Sequence, residues 1–237
     1  MVELLLPAQE ALFGSELATP VFLDDAAVII GVITGAMAGC NRQMDVVGTI
    51  IAGILTGYGG GIVRDLLLRD HGIYFMEHPN LLVCSIFIAA FVFYFRGLFE
   101  HREGLLEYLD IFSVGMFTLA GVDKTWACGF GVVYALFLGL STGVFGGALR
   151  DIMTNEVPAI FKPSYFYAVA SLAGAGSYVI LMLFGCPRTM AGIVCVAATV
   201  FVRNWSTTKH LDTYAPDRAD LSPYVKSLAL RFARKIR

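Results

Sequence analysis

The stretches TGYGGGIVRD (residues 56–65) and TGVFGGALRD (residues 142–151) lie 86 residues apart and agree at Thr56/Thr142, Gly57/Gly143, Gly60/Gly146, Gly61/Gly147, Arg64/Arg150 and Asp65/Asp151. The same shift lays Val46, Val47 and Gly53 over Val132, Val133 and Gly139, so the agreement runs along an entire apolar segment. The chain is therefore read as a duplication. Each copy carries a glycine-rich helix that ends in an Arg-Asp pair.

Working outward, apolar segments fall at roughly 26–40, 46–68, 80–99, 109–123, 127–150, 164–184 and 188–204. Most approach the roughly 20 residues that cross a hydrocarbon core, and the first and fourth are short. Hydrophobic residues make up 57% of the 237, charged residues 15%, and mean hydropathy is +0.71. That composition excludes an ordinary water-soluble domain. The expected fold is an all-α integral membrane protein: seven transmembrane helices as an inverted 3+3 repeat plus one helix. An odd number of spans per repeat makes the second copy enter from the opposite side. The expected division is an acidic N-terminal segment (1–24), a transmembrane domain (25–205) and a basic tail (206–237). Within the domain, repeat 1 covers about 25–100, repeat 2 about 108–185, and the seventh helix 188–204.

Charge supplies the orientation. The first 25 residues hold Glu3, Glu10, Glu16, Asp24 and Asp25 without Lys or Arg, and residues 203–237 hold eight basic residues. With the N-terminus outside, the inner connections carry Arg42, Arg96, Arg102 and Lys162 as well as the tail, as the positive-inside rule favours. Leu4–Leu6 has no basic region before it and Pro7 after it, so it does not read as a cleaved signal peptide.

Gly59-Gly60-Gly61 and Gly146-Gly147 sit inside spans. Such runs have little helix preference, so kinks are expected there, exposing carbonyls and amides within the membrane. Thr56, Ser141 and Thr142 are expected to add hydroxyls to a polar route between the two helices. The competing reading is plain small-residue helix packing. Arg64, Asp65, Arg150 and Asp151 weigh towards a site, because charges within a span need partners or water. Neighbouring residues on a helix diverge, so Arg64 is expected to look past Asp65 to a partner across the repeat. Snorkelling to the interface is the alternative. Lys124 reads either as a gating charge or as an interfacial anchor.

Cys40, Cys84, Cys128, Cys186 and Cys195 are isolated in apolar stretches and read as packed thiols, with no metal-ligand spacing. After Ser222-Pro223, Val225, Leu228, Phe232 and Ile236 recur at helical spacing opposite Lys226, Arg231, Arg234 and Lys235. That pattern makes a basic amphipathic helix for an anionic lipid surface, not a nucleic-acid contact. No hydrolase elbow, zinc-protease, phosphate-loop or dinucleotide motif is present, so neither catalysis nor a cofactor is expected.

With GGGIVRDLLL in the second span, GGALRDI followed by Pro158 in the fifth, and the seven-span duplicated plan, residues 25–205 resemble the prokaryotic trimeric intracellular cation (TRIC) channels. Some classifications label the same bacterial proteins as glycine transporters. The resemblance implies a homotrimer in a prokaryotic plasma membrane, a pore in each protomer, K+ as permeant ion and lipid between subunits. It places the pore at Gly59–Gly61 and Gly146–Gly147, with Arg64, Asp65, Arg150 and Asp151 beside them. Phe145 stands where the first copy has Gly59, which implies unequal halves. A secondary transporter of a small solute such as glycine, and a lipid-binding structural protein, remain the rival readings.

Overall fold

The computed structural model describes residues 21–69, 72–98, 103–161 and 166–211. The acidic residues before position 21 and the tail residues Lys226, Arg231, Arg234 and Lys235 lie outside that set. Among the described residues there are seven long helices: α1 (Val21–Asn41), α2 (Val46–Leu68), α3 (Pro79–Tyr94), α4 (Glu103–Ala127), α5 (Val132–Met153), α6 (Tyr167–Leu183) and α7 (Arg188–Thr208). A single helical turn, Tyr74–Glu77, lies between α2 and α3. Local chemistry marks the starts. Asp45 caps α2 by accepting from Gly48 N at 2.7 Å, and Pro79 opens α3, where its missing N–H costs nothing.

The stretch Leu23–Asn41 of α1, together with α2, α5 and α7, is long and apolar enough to cross a bilayer, whereas α3 and α6, at 16 and 17 residues, are apolar but shorter. The protein is an all-α integral membrane protein. The first and fourth segments are longer than the sequence suggested, 21 and 25 residues. Asp24, Asp25, Asp110, Asp123 and Lys124, which marked their expected ends, lie inside these helices. Carboxylates and an ammonium stay within helices here because side chains of neighbouring elements meet their charges: Tyr74 meets Asp25, Arg150 meets Asp110, Tyr178 and Arg188 meet Asp123, and Asp65 meets Lys124. The boundary placed at residue 24 thus falls within α1.

Glycine determines how the helices touch. A Cβ on Gly60 would overlap the carbonyl oxygen of Thr142, and one on Gly146 would overlap that of Thr56. Position 56 meets 146 and position 60 meets 142, so α2 and α5 cross antiparallel. The 86-residue shift exchanges the two contacts, as a two-fold axis through the crossing would. Only glycine permits this backbone-to-backbone approach.

The same relation extends over the first three helices and the next three. A Cβ on Gly35 of α1 would come 2.6 Å from Ala52 O of α2, and one on Gly121 of α4 would come 2.6 Å from Leu138 O of α5. Gly53 packs on Val32 and Ala89, and Gly139 packs on Thr118 and Ala175, again 86 residues on. The duplication legible in two helices is therefore a duplication of whole three-helix units. α7 packs on α4 and α6. One apolar core joins α1 to α3 around Val32, Tyr58 and Val92, and a second joins α4 to α7 around Val122, Tyr178 and Cys195.

Gly35→Val and Gly121→Val should each destabilise the folded protein by about 1–3 kcal/mol through overpacking. Thermal unfolding in detergent checks this, with Gly176→Val as control because nothing lies within 4 Å of that position's missing side chain. Equal melting temperatures for all three variants would contradict the packing account.

Candidate functional site

Each repeat places its Arg-Asp pair in the last turns of the crossing helix, just beyond the glycine contact. In the first, Arg64 and Asp65 are each only 3% exposed. Arg64 Nε donates to Asp65 Oδ1 at 2.8 Å, Lys124 Nζ of α4 donates to the same oxygen at 2.9 Å, and Tyr74 N donates to Oδ2 at 2.9 Å. One carboxylate thus joins α2, α4 and the Tyr74–Glu77 turn. Tyr74 donates its hydroxyl to Asp25 of α1. Burial first, and then that hydrogen bond, raise the phenol's pKa, so it remains a donor.

The second half-site repeats the plan with different detail. Arg150 Nη1 donates to Asp110 Oδ1 at 2.7 Å, and its Nε and Nη2 each lie 3.1 Å from Asp151 Oδ1. Ala159 N donates to Asp151 Oδ2 at 3.0 Å, the counterpart of the Tyr74 bond. Asp110 is Asp24 shifted by 86 residues, and Asp24 lines a small cavity with Arg64. The position matching Lys124 is Ala38, so Asp151 has no second cation of that origin.

Several expectations are corrected by this geometry. Arg64 bonds Asp65, and Arg150 bonds Asp151, although they are chain neighbours. The three-methylene arginine stem is long enough to curl back to the adjacent carboxylate, and in the second half-site Arg150 reaches Asp110 of α4 as well. No ion pair joins the Arg-Asp motifs to each other among the described residues; Lys124 reaches across the repeats to Asp65, and outside the half-sites Arg42 pairs with Glu156. That lysine lies within α4, and its side chain is 12% exposed and ion-paired, which is not an interfacial anchor.

α2 and α5 each run as one helix through their glycines. Within a membrane the backbone groups have to be satisfied inside the helix, which outweighs glycine's low propensity. Thr56, Ser141 and Thr142 return their hydroxyls to Ala52 O, Phe137 O and Leu138 O of their own helices, at 2.7, 2.7 and 2.6 Å. Thr56 and Thr142 turn those hydroxyls towards Gly35 and Gly121, away from the α2–α5 contact. Gly60 and Gly146 form the dry centre of the crossing. Gly59 abuts the Leu149 side chain, whereas its counterpart Phe145 is 39% exposed.

Open space lies beside Gly61, where a Cβ would meet only Arg64 Nη2, at 3.9 Å. The cavity there has a volume of about 20 Å³ and is lined by Asp24, Gly57, Tyr58, Gly61, Arg64 and Tyr74, among others. That is room for about one water or one bare monovalent ion. At Gly147 the equivalent space is taken by the Tyr167 hydroxyl. Asp24 also borders a larger apolar groove of about 830 Å³ between α1, α4 and α7, with Asp123 and Arg188 at its wall. Among the described residues no group of three or more His, Cys, Asp or Glu is placed to hold a metal ion.

Sequence reading missed Asp24, Asp110 and Tyr74 as members of the site. Carrying the 86-residue shift back to position 24 would have found the first two, since Asp24 falls on Asp110. Tyr74 gave no such signal, because it acts largely through its backbone N–H.

Residues 21–97 and 107–182 each match the family described as Glycine transporter. The chain belongs to this family. The two matches begin 86 residues apart, in step with the duplication. A UPF0126 membrane protein of Deinococcus radiodurans is 30% identical over 157 residues, 66% of this chain and 73% of that one. The UPF0126 inner membrane protein YadS of Escherichia coli is 26% identical over 83% of this chain and 96% of its own. Among solved structures, the TRIC trimeric intracellular cation channel orthologue from Rhodobacter sphaeroides superposes with a TM-score of 0.75 at 32% identity, covering 81% of this chain and 98% of that one. A second TRIC cation channel structure gives a TM-score of 0.76 at 25% identity, covering 83% and 97%.

Asp65→Ala strands both Arg64 and Lys124 in a buried setting and should cost about 3–5 kcal/mol. Asp151→Ala should cost less, because Arg150 keeps Asp110. Chemical unfolding of the two variants in one detergent reads the difference, and a larger loss for Asp151→Ala would contradict the assignment of partners.

Proposed function

We propose that the chain is a channel for monovalent cations, K+ among them, with a separate path through each protomer of a homotrimer. The path runs beside the α2–α5 crossing, between the half-site at Arg64 and Asp65 and the half-site at Arg150 and Asp151. In this reading all seven helices cross the membrane, the two three-helix units are inverted copies, and α7 completes the protomer. The N-terminus lies outside and the basic C-terminal tail, with Lys226, Arg231, Arg234 and Lys235, lies on the cytoplasmic lipid surface. An acyl chain occupies the groove between α1, α4 and α7.

One observation carries the reading. Two charged half-sites related by the 86-residue shift flank a dry glycine crossing, in a chain whose fold superposes on TRIC cation channels. The cavity beside Gly61, about 20 Å³, has the size of one water or one small ion, which supports a small permeant species. Lys124 is the gating charge: its bond to Asp65 ties α4 to the end of α2, so movement of α4 is transmitted to the path.

The family description favours a second reading, a secondary transporter of glycine. Reconstitution into planar bilayers separates the two. Discrete current steps reversing at the K+ equilibrium potential are expected, and saturable uptake of labelled glycine without current would replace the channel by the transporter. Gly60 and Gly146 are unsuitable for a blocking test, since any side chain there forces the helices apart. Gly61→Val should instead fill the adjoining cavity and cut the unit current severalfold with the trimer intact by size-exclusion chromatography. Unchanged current in that folded variant would place the path elsewhere.

A further inference from the structure

Two halves related by one shift ought to show the same space beside the same glycine, and they do not. The 86-residue register sets Tyr167, at the start of α6, on Leu81 of α3. Beside Gly61 there is a cavity; over Gly147 the Tyr167 hydroxyl closes in so far that a Cβ would overlap it. Arg64 Nη2 and Arg150 Nη2 stand 3.9 and 3.8 Å from the two glycines' Cβ positions, so the guanidinium groups are placed alike. The cavity lining also differs at Tyr58 against Val144 and at Tyr74 against Ile160, but Tyr167 is the residue that reaches its glycine.

The tyrosine is also held in an unusual way. Its residue is 5% exposed and its hydroxyl is buried without a hydrogen-bond partner among the described residues. A buried hydroxyl without a partner is destabilising, and tyrosine hydroxyls in protein interiors usually find one. The ring packs with Val114 and Val144, under the Arg203 guanidinium at 5.0 Å from its centroid. The backbone beside it is fixed, because Phe166 N donates to Ser206 Oγ of α7 at 3.0 Å. With that backbone held, a change here has to come through rotation of the side chain, and turning off Gly147 would vacate the space that its counterpart Leu81 leaves open.

We propose that Tyr167 is the side chain that closes the second half of the cation path, and that its rotation off Gly147 opens it. This rests on the channel reading given above. Leucine, the residue at the matching position of the first half, cannot reach the glycine as the phenol does. Phenylalanine keeps the ring over Gly147 while removing the unsatisfied hydroxyl, which favours closure.

The test is single-channel recording of purified full-length protein in planar bilayers. Tyr167→Leu should raise open probability severalfold, and Tyr167→Phe should lower it, roughly fivefold or more. A purely structural role would move both variants in the same direction, through loss of folded trimer seen on size-exclusion chromatography. Leu81→Tyr should close the first half and reduce open probability. Wild-type currents that remain unchanged in folded Tyr167→Leu and Tyr167→Phe overturn the assignment of Tyr167 and leave the channel reading standing. Absence of any wild-type current overturns both.

Discussion

Two carbonyl groups, those of Thr56 and Thr142, lie against the Cα atoms of Gly146 and Gly60. Helices cannot approach so closely where a Cβ intervenes, and in lipid there is no hydrophobic drive between helices to compensate for a looser contact. Fixing this crossing fixes the axis about which the two three-helix units are related. It also sets where the Arg-Asp pairs lie, because each follows its glycine contact by about one helical turn. The charged half-sites therefore emerge on either side of the crossing without any bond between them, and α4 supplies the link through Lys124.

Charge burial explains why both half-sites are so fully satisfied. An isolated ion in hydrocarbon is expensive, and removing one member of a buried pair leaves that expense uncovered. Asp65 takes donors from an arginine, a lysine and a backbone amide. Arg150 spreads its guanidinium over two carboxylates. The Asp at the end of each motif also accepts from a backbone N–H eight or nine residues on, so it anchors the returning chain. One residue thus settles both a charge and a connection, which accounts for its presence in both copies.

The architecture was legible because duplication leaves residues in register, and the motif at 56–65 and 142–151 fixed that register at once. The number and order of the long helices followed from apolar runs. Their ends were misjudged where Asp24, Asp25 and Lys124 fell just outside the apolar runs, since a linear pattern does not reveal which charges meet in space. The contact role of the glycines was hidden for a related reason: propensity belongs to one helix, whereas the carbonyls they meet belong to the neighbouring one. The Arg-Asp bond was discounted on the divergence of adjacent Cβ vectors, an argument that holds for short side chains and fails for arginine in a buried site.

What the symmetry leaves unequal is where a direction or a stimulus can act. Two identical halves would give a path with no distinction between its ends. Here Lys124 faces Asp65 where the other half has Ala38, Gly59 meets Leu149 where the other has an outward Phe145, and Tyr167 replaces Leu81. Each difference lies at or near a half-site, while the glycines packed within each three-helix unit, Gly35 and its counterpart Gly121, Gly53 and its counterpart Gly139, are retained. Substitutions that keep the crossing but differentiate its two ends change what each end does without disturbing the axis. A duplicated scaffold can therefore diverge in function while its fold stays fixed by the glycine contact.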